Sequence, residues 1–300
     1  MVLPQKLIIP SALILFLLAT CVSADPIVHV LANEGTPNQQ YGDMDLATGK
    51  FSAISSTPST IQYLAPGRNG SLLTMSFNGD LDSINPNTGA ISVVGHTGFA
   101  NCSIPGPYTS NCQLSFGAAG GTLYATDFAN NLYTVNPVTG KATLVGATGI
   151  PAVPFIPAST NPDGSFNFYD ENLFGFGGKL YANFDAGTFN PATSASTIVI
   201  SPEMYQLNPS TGHASKIAAT NFGLITIANV DGTIYGFNGN TSRVVTVDVS
   251  NGTTSFVSDI SQSAGLIGGA APAVPEPASL ALTVIGISAI LVLRREMSSK

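Results

Sequence analysis

One short pattern recurs at five places and constrains the fold more than anything else in the chain. It is an Asp or Asn, three intervening residues, then a Gly: Asp45-Leu46-Ala47-Thr48-Gly49, Asn85-Pro86-Asn87-Thr88-Gly89, Asn136-Pro137-Val138-Thr139-Gly140, Asn208-Pro209-Ser210-Thr211-Gly212 and the degenerate Asp248-Val249-Ser250-Asn251-Gly252. The Asx side chain can accept bonds from the backbone just ahead of it. Pro at the second position presets φ for a type I turn, and the final Gly takes a positive φ that other residues resist. Each copy therefore predicts a hairpin loop built on a type I turn. A β-like segment follows every copy: residues 51–54, 91–94, 142–145, 214–217 and 254–257.

A second motif precedes the turn in four copies: Gly70-Ser71-Leu72-Leu73, Gly121-Thr122-Leu123-Tyr124, Gly178-Lys179-Leu180-Tyr181 and Gly232-Thr233-Ile234-Tyr235. Their glycines lie 51, 57 and 54 residues apart. A further apolar segment comes before each, at 61–64, 112–116, 173–176 and 222–227, which makes four strands per unit. Four strands at a period of this size are the mark of a β-propeller blade. The first unit, 27–55, has no strand ahead of it, and the missing one is expected at the far end of the chain, in 264–268. Pairing first and last segments would close the ring and remove an open edge. The expected fold is thus all-β, a propeller of about five four-stranded blades. Six remain open because 183–201 has room for irregular strands, and a pair of β-sandwiches is the rival arrangement.

Composition agrees with many short strands and turns. Gly (31) and Pro (20) are plentiful, while charged residues make up only 9% of the 300. Residues 25–275 hold 15 acidic and 6 basic side chains, about −9. No basic patch exists to neutralise phosphates, which excludes nucleic acid as a partner.

Few residues suggest chemistry. Cys102 and Cys112 are the only cysteines beyond residue 24, and an even number in an exported chain reads as a disulfide. His29, His96 and His213 fall in different units without zinc spacing. His213 follows a turn Gly, as Lys50 and Lys141 do, which reads as a solvated strand start; His96 falls in a loop. No Gly-x-Ser-x-Gly elbow is present. The oxygen-rich set Asn161, Asp163, Asn167 and Asp170 misses the spacing of a calcium loop, and turn chemistry accounts for it as well. No cofactor is expected. A calcium ion in the axial channel is the alternative, with Glu34, Asp127, Glu171 and Asp231 as candidates spread over the units. Two stretches break the repeat as long loops: 98–111 and the aromatic-rich 149–171, with Phe155, Phe166, Phe168 and Tyr169. Loops of this kind carry function on repeat scaffolds.

The two ends read as addresses. Lys6, an apolar run over 7–19 and Val22-Ser23-Ala24 describe a secretory signal peptide covering 1–24. The expected propeller domain spans 25–270, followed by a linker over 271–277 and a single transmembrane helix over 278–296. That tail runs Val274-Pro275-Glu276-Pro277, an uncharged apolar stretch over 278–293, then Arg294-Arg295. The arginines would stay cytoplasmic, leaving the body outside.

This order resembles the PEP-CTERM sorting signal of Gram-negative bacteria. The resemblance implies recognition of Pro275, Glu276 and Pro277, with Arg294 and Arg295, by an exosortase-type processing enzyme. It also implies export across the inner membrane, transient anchoring by the C-terminal helix, and then a place at the cell surface or in the extracellular biofilm matrix. Together the readings describe a non-enzymatic exported scaffold that binds exopolysaccharide or surface proteins. The alternatives are a calcium-dependent propeller hydrolase or lyase, and a passive structural surface protein.

Overall fold

The computed structural model describes residues 26–33, 36–67, 70–100, 112–150, 166–190, 193, 195–220, 223–238, 241–261 and 267–272. They form five four-stranded antiparallel sheets, the blades of a β-propeller. From the axis outward, blade 1 is β20 (Ile267–Pro272), β1 (Ile27–Ala32), β2 (Gln40–Asp45) and β3 (Lys50–Ser56). Blade 2 is β4 (Ala65–Pro66), β5 (Leu72–Met75), β6 (Asp80–Ile84) and β7 (Ile91–His96), and blade 3 is β8 (Gln113–Ala119), β9 (Thr122–Asp127), β10 (Asn131–Val135) and β11 (Ala142–Ala147). Blade 4 is β12 (Phe166–Phe176), β13 (Lys179–Asn190), β14 (Ala195–Leu207) and β15 (Ala214–Ala219). Blade 5 is β16 (Thr226–Val230), β17 (Thr233–Asn238), β18 (Arg243–Val247) and β19 (Thr254–Asp259). The count is five, and the far end closes the ring, with the closing strand at 267–272 rather than the expected 264–268: β20 pairs antiparallel with β1, from Val28↔Pro272 to Ala32↔Ile267, and takes in residues 271 and 272 of the expected linker.

Every blade is apolar on both faces because each faces a neighbour. The hydrophobic residues accordingly divide into five cores, one per blade interface. Val28, Val30 and Met44 of blade 1 pack with Phe237 and Val244 of blade 5, whereas Leu31 and Tyr41 on the other face pack with Leu72 and Ile84 of blade 2. The same alternation gives Leu73 and Leu81 with Phe116 and Leu123 between blades 2 and 3, Tyr124 and Leu132 with Leu180 and Phe184 between blades 3 and 4, and Phe174 and Met204 with Ile234 and Val245 between blades 4 and 5. Full burial of one such side chain stabilises by about 1.5–3 kcal/mol.

The recurrent turn is an inter-blade lock as well as a hairpin. In the third copy Asn136 Oδ1 accepts from the backbone N–H of Val138 (2.8 Å) and Thr139 (3.1 Å). Gly140 N–H donates to Asn136 O (2.9 Å) at a φ of 76°. A Cβ on Gly140 would lie 2.5 Å from the carbonyl oxygen of Gly95, on the outer strand of the preceding blade. Equivalent contacts set Gly49 on Asp259, Gly89 on Ser55, Gly212 on Gly146 and Gly252 on Ala219, right round the ring. A backbone bond reinforces the lock where Ala142 N–H meets Thr97 O (3.0 Å) and Ala214 N–H meets Thr148 O (2.7 Å).

Each outer strand also carries one β-bulge at the same place. The unpaired residue is Ile54, Val94, Val145, Ile217 or Val257, a β-branched aliphatic in all five blades. Every one is partly buried against an inter-blade core. The bulge turns this residue inward from a strand that otherwise faces solvent.

Strand direction gives the propeller two unlike ends. At one end, the turn end, lie the five Asx-to-Gly turns and the short links from inner to second strand, such as Gly120-Gly121 and Gly177-Gly178. At the other lie the second-to-third-strand turns, and the connections between blades start and finish there, because each fourth strand ends and each inner strand begins at that end. Two sequence readings are corrected in blade 4. Residues 166–171 belong to β12 and not to a loop, and 183–190 and 195–201 continue β13 and β14, paired with two register shifts near Ala186, and make no sixth blade. The alternation of Phe166, Phe168 and Asp170 with Asn167, Tyr169 and Glu171 is a strand period. These longer strands make a three-stranded ribbon at the end opposite the turns, here the ribbon end.

Candidate functional site

The axis is lined by the five inner strands, which crowd it. A Cβ on Gly117 would lie 2.0 Å from Leu173 O, and one on Gly175 would lie 2.6 Å from Ala118 O. Only small residues fit there. Toward the turn end the channel widens into a cavity of about 670 Å³ walled by Ala65, Ala118, Gly175, Ala228 and Ala270. Asn229 and Asp231 are its polar margin. Asn229 is engaged: Nδ2 donates to Gly175 O (2.7 Å) and Oδ1 accepts from Gly232 N–H (3.2 Å).

The ribbon end of the inner strands is polar instead. Glu171 on β12 is 1% exposed; its Oε2 accepts from Thr126 Oγ1 of β9 (2.8 Å), and its Oε1 has no hydrogen-bond partner among the described residues. Burial pushes its carboxyl up to about 8, the Thr126 bond opposes this, and the charge of Asp127 adds to it. Glu171 therefore stays neutral at pH 7. Around it Leu173 N–H donates to Ser115 Oγ (3.0 Å) and Asn172 Nδ2 donates to Leu224 O (2.6 Å), tying blade 4 to both neighbours. Asn183 Nδ2 donates to Glu203 O (3.2 Å) and Thr220 Oγ1 (3.3 Å).

The three described candidates for an axial calcium, Asp127, Glu171 and Asp231, do not converge. Glu34 lies outside the described residues. Asp127 and Glu171 are neighbours at the ribbon end, but Asp231 sits at the turn end beside the cavity. Asp127 is moreover saturated: Oδ1 accepts from Ala129 N–H (3.0 Å) and Asn131 N–H (2.9 Å), and Oδ2 from Asn131 Nδ2 (3.0 Å) and Tyr133 Oη (2.9 Å). Burial, then Asp127, holds the Tyr133 hydroxyl up at about 12. Among the described residues no group of three or more His, Cys, Asp or Glu stands together.

The remaining candidates are spread through the blades. His29 Nδ1 is 2.7 Å from Asp43 Oδ1, and its ring stacks on Tyr41 at 5.6 Å between centroids. His96 is the last residue of β7, not a loop residue, and its Nδ1 lies 3.0 Å from Asp80 Oδ1. His213 is exposed directly after its turn glycine. Asp82, buried between blades, has its carboxyl pushed up to about 6 by burial, with Asp80 adding to the effect. Cys112 is wholly buried just ahead of β8, at the ribbon end; Cys102 lies outside the described residues, as do Asn161, Asp163 and Phe155. Asn167 and Asp170 are on β12. The sorting residues Pro275, Glu276, Pro277, Arg294 and Arg295 also lie outside. Among the described residues no helix is long and apolar enough to cross a membrane.

No protein-family model matches the chain, and no curated protein matches it. Among solved structures, a nidogen/laminin complex aligns over 83% of this chain and 98% of that chain, at 10% identity and a TM-score of 0.47. A protein of unknown function from Bacteroides thetaiotaomicron aligns over 75% of this chain and 53% of that one, at 12% identity and 0.44. The PQQ-bound aldose sugar dehydrogenase from Streptomyces coelicolor aligns over 74% and 87%, at 12% identity and 0.39. The propeller stands on its own strand order and closure, not on these likenesses.

Proposed function

We propose that the protein is an exported scaffold of the cell surface or extracellular matrix, a propeller that binds exopolysaccharide or a surface protein and performs no catalysis. The observation that carries this reading is the separation of roles between the two ends. The chain enters and leaves at the turn end, because β1 starts there and β20 finishes there. Blade 4 departs from the repeat at the other end, where β12, β13 and β14 extend as a ribbon, and the two longest connections between blades start and finish at that end. A tethered module that presents one face to a partner has this layout. Two of its buried polar groups support the same view, since Asp127 is occupied in joining strands and Asn172 in joining blades.

The tail supplies the route: export by the segment 1–24, reading of Pro275, Glu276 and Pro277 by an exosortase-type enzyme, and release or attachment once the apolar stretch is removed. Intact mass measurement of the protein from its native envelope tests this. A C-terminus near Pro275–Pro277 is expected, and a chain still ending at Lys300 would refute the sorting route. A glycan array probed with residues 25–272 tests the binding reading, which predicts saturable capture of acidic or neutral polysaccharide. Turnover of a polysaccharide by the same preparation would refute the non-catalytic assignment.

A further inference from the structure

We infer that, while the tail holds the chain in a membrane, the propeller keeps its turn end toward the bilayer surface and cannot bring its ribbon end to it. This rests on the tail reading above and adds an orientation and a contact surface to it.

The geometry comes from where the last strand ends. β20 is the innermost strand of blade 1 and runs in the same sense as β8, β12 and β16, so Pro272 leaves beside the axis at the turn end. Ala270 lines the cavity together with Gly120, Gly177 and Asp231, which are turn-end residues. Five residues, 273–277, separate Pro272 from the apolar run that begins at 278. Fully extended they span at most about 20 Å. Turning the propeller over would require the tether to cross a blade of four strands, about 19 Å at the usual strand spacing, and then climb a strand of about 20 Å. That path is about twice the tether. The connection is too short to invert the molecule and bring the ribbon end to the bilayer.

The test uses the full chain in phosphatidylcholine vesicles that carry an energy-acceptor lipid. A fluorescent amino acid is placed at Val138, which is 63% exposed in a turn-end loop, or at Ala129, exposed in a ribbon-end loop. Transfer from Val138 is expected to exceed transfer from Ala129 at least threefold. Equal transfer, or stronger transfer from Ala129, on chains that remain bound to the vesicles would overturn the orientation. A full chain that fails to bind vesicles, behaving like one cut after Pro272, would instead overturn the tail reading. The two failures are therefore distinguishable.

Discussion

Glu171→Gln should stabilise the propeller at neutral pH, and by an amount that depends on pH. The carboxyl is 1% exposed and its folded-state value is about 8 against an ordinary 4.5, with burial as the first cause. In the folded state it keeps its proton up to about pH 8, while the unfolded chain releases it above 4.5. The folded state therefore binds more protons throughout that window, and stability falls as pH rises through it. The stability tied to this group is fully present below pH 4.5, is lost at about 1.4 kcal/mol per pH unit, and stays flat above pH 8. At pH 7 the loss is about 3 kcal/mol. Gln does not titrate, keeps the shape, and can still meet Thr126 Oγ1. It also leaves one amide atom unpartnered, as the acid leaves Oε1, so the pair differ mainly in titration.

The assay is thermal melting of both proteins from pH 5.5 to 8.5. For a domain of this size about 3 kcal/mol corresponds to roughly 6–12 °C. The variant should melt higher at pH 7, with a gap that grows with pH and saturates near 8. A gap that does not change with pH would place the carboxyl in its ordinary range and refute the reasoning. So would a variant less stable than the parent at pH 8.

Three further perturbations probe the frame. Gly140→Ala meets both a φ of 76° and the Gly95 carbonyl at 2.5 Å, and melting should show a loss of about 3 kcal/mol from strain and overpacking together. Gly121→Ala has a similar φ of 78° but open space around it, so its loss should be nearer 1 kcal/mol; equal losses would disprove the inter-blade lock. Replacing Cys102 and Cys112 together by Ser should lower stability by about 2–3 kcal/mol, the value of a short closed loop, and alkylation followed by mass measurement should find no free thiol in the unreduced parent. A chain cut after Ser261 lacks β20 and exposes the β1 edge from Val28 to Ala32; it should lose its cooperative melt, whereas a chain cut after Pro272 should keep it.

The turns were legible because their cause is local. An Asx side chain and a Gly four residues later dictate one geometry, with a Pro preset in three copies, and all five adopt it with glycine φ values between 67° and 82°. Closure by the far end was legible because the first unit visibly lacked a strand. The strand expected at 61–64 was not found there: Ile61 makes one isolated bridge to Ser76, and the paired strand is Ala65–Pro66. Its apolar residues serve the blade 1–2 core without joining a ladder, and apolar pattern alone does not separate those two uses. The ribbon was misread because Pro and Gly upstream suggested a loop, although Phe166 to Glu171 alternate with a strand period. The lock and the bulge were out of reach for another reason: they are relations between blades. Gly95 and Gly146 look like weak points in a strand until the next blade's turn is set against them. The one trace they leave is a small residue at this place in every unit: Ser55, Gly95, Gly146, Ala218 and Ser258. Glu171 was readable as a candidate acid, but its burial against Thr126 was not.

The same relations explain why variation collects at one end. At the turn end each loop is held twice, by its own Asx bonds and by the outer strand of the preceding blade. An insertion there would break five-fold packing that runs continuously round the ring. At the ribbon end the inter-blade connections differ in length, from 220–225 to 148–165. Doubling the length of a flexible loop costs only about 0.6 kcal/mol. Each inter-blade core is worth far more than that, since several side chains stabilise it by about 1.5–3 kcal/mol apiece. The frame can therefore change its ribbon end at little cost in stability. β20 ends at the turn end, so the end that can vary is the one opposite its exit and is the face the proposed binding role would use.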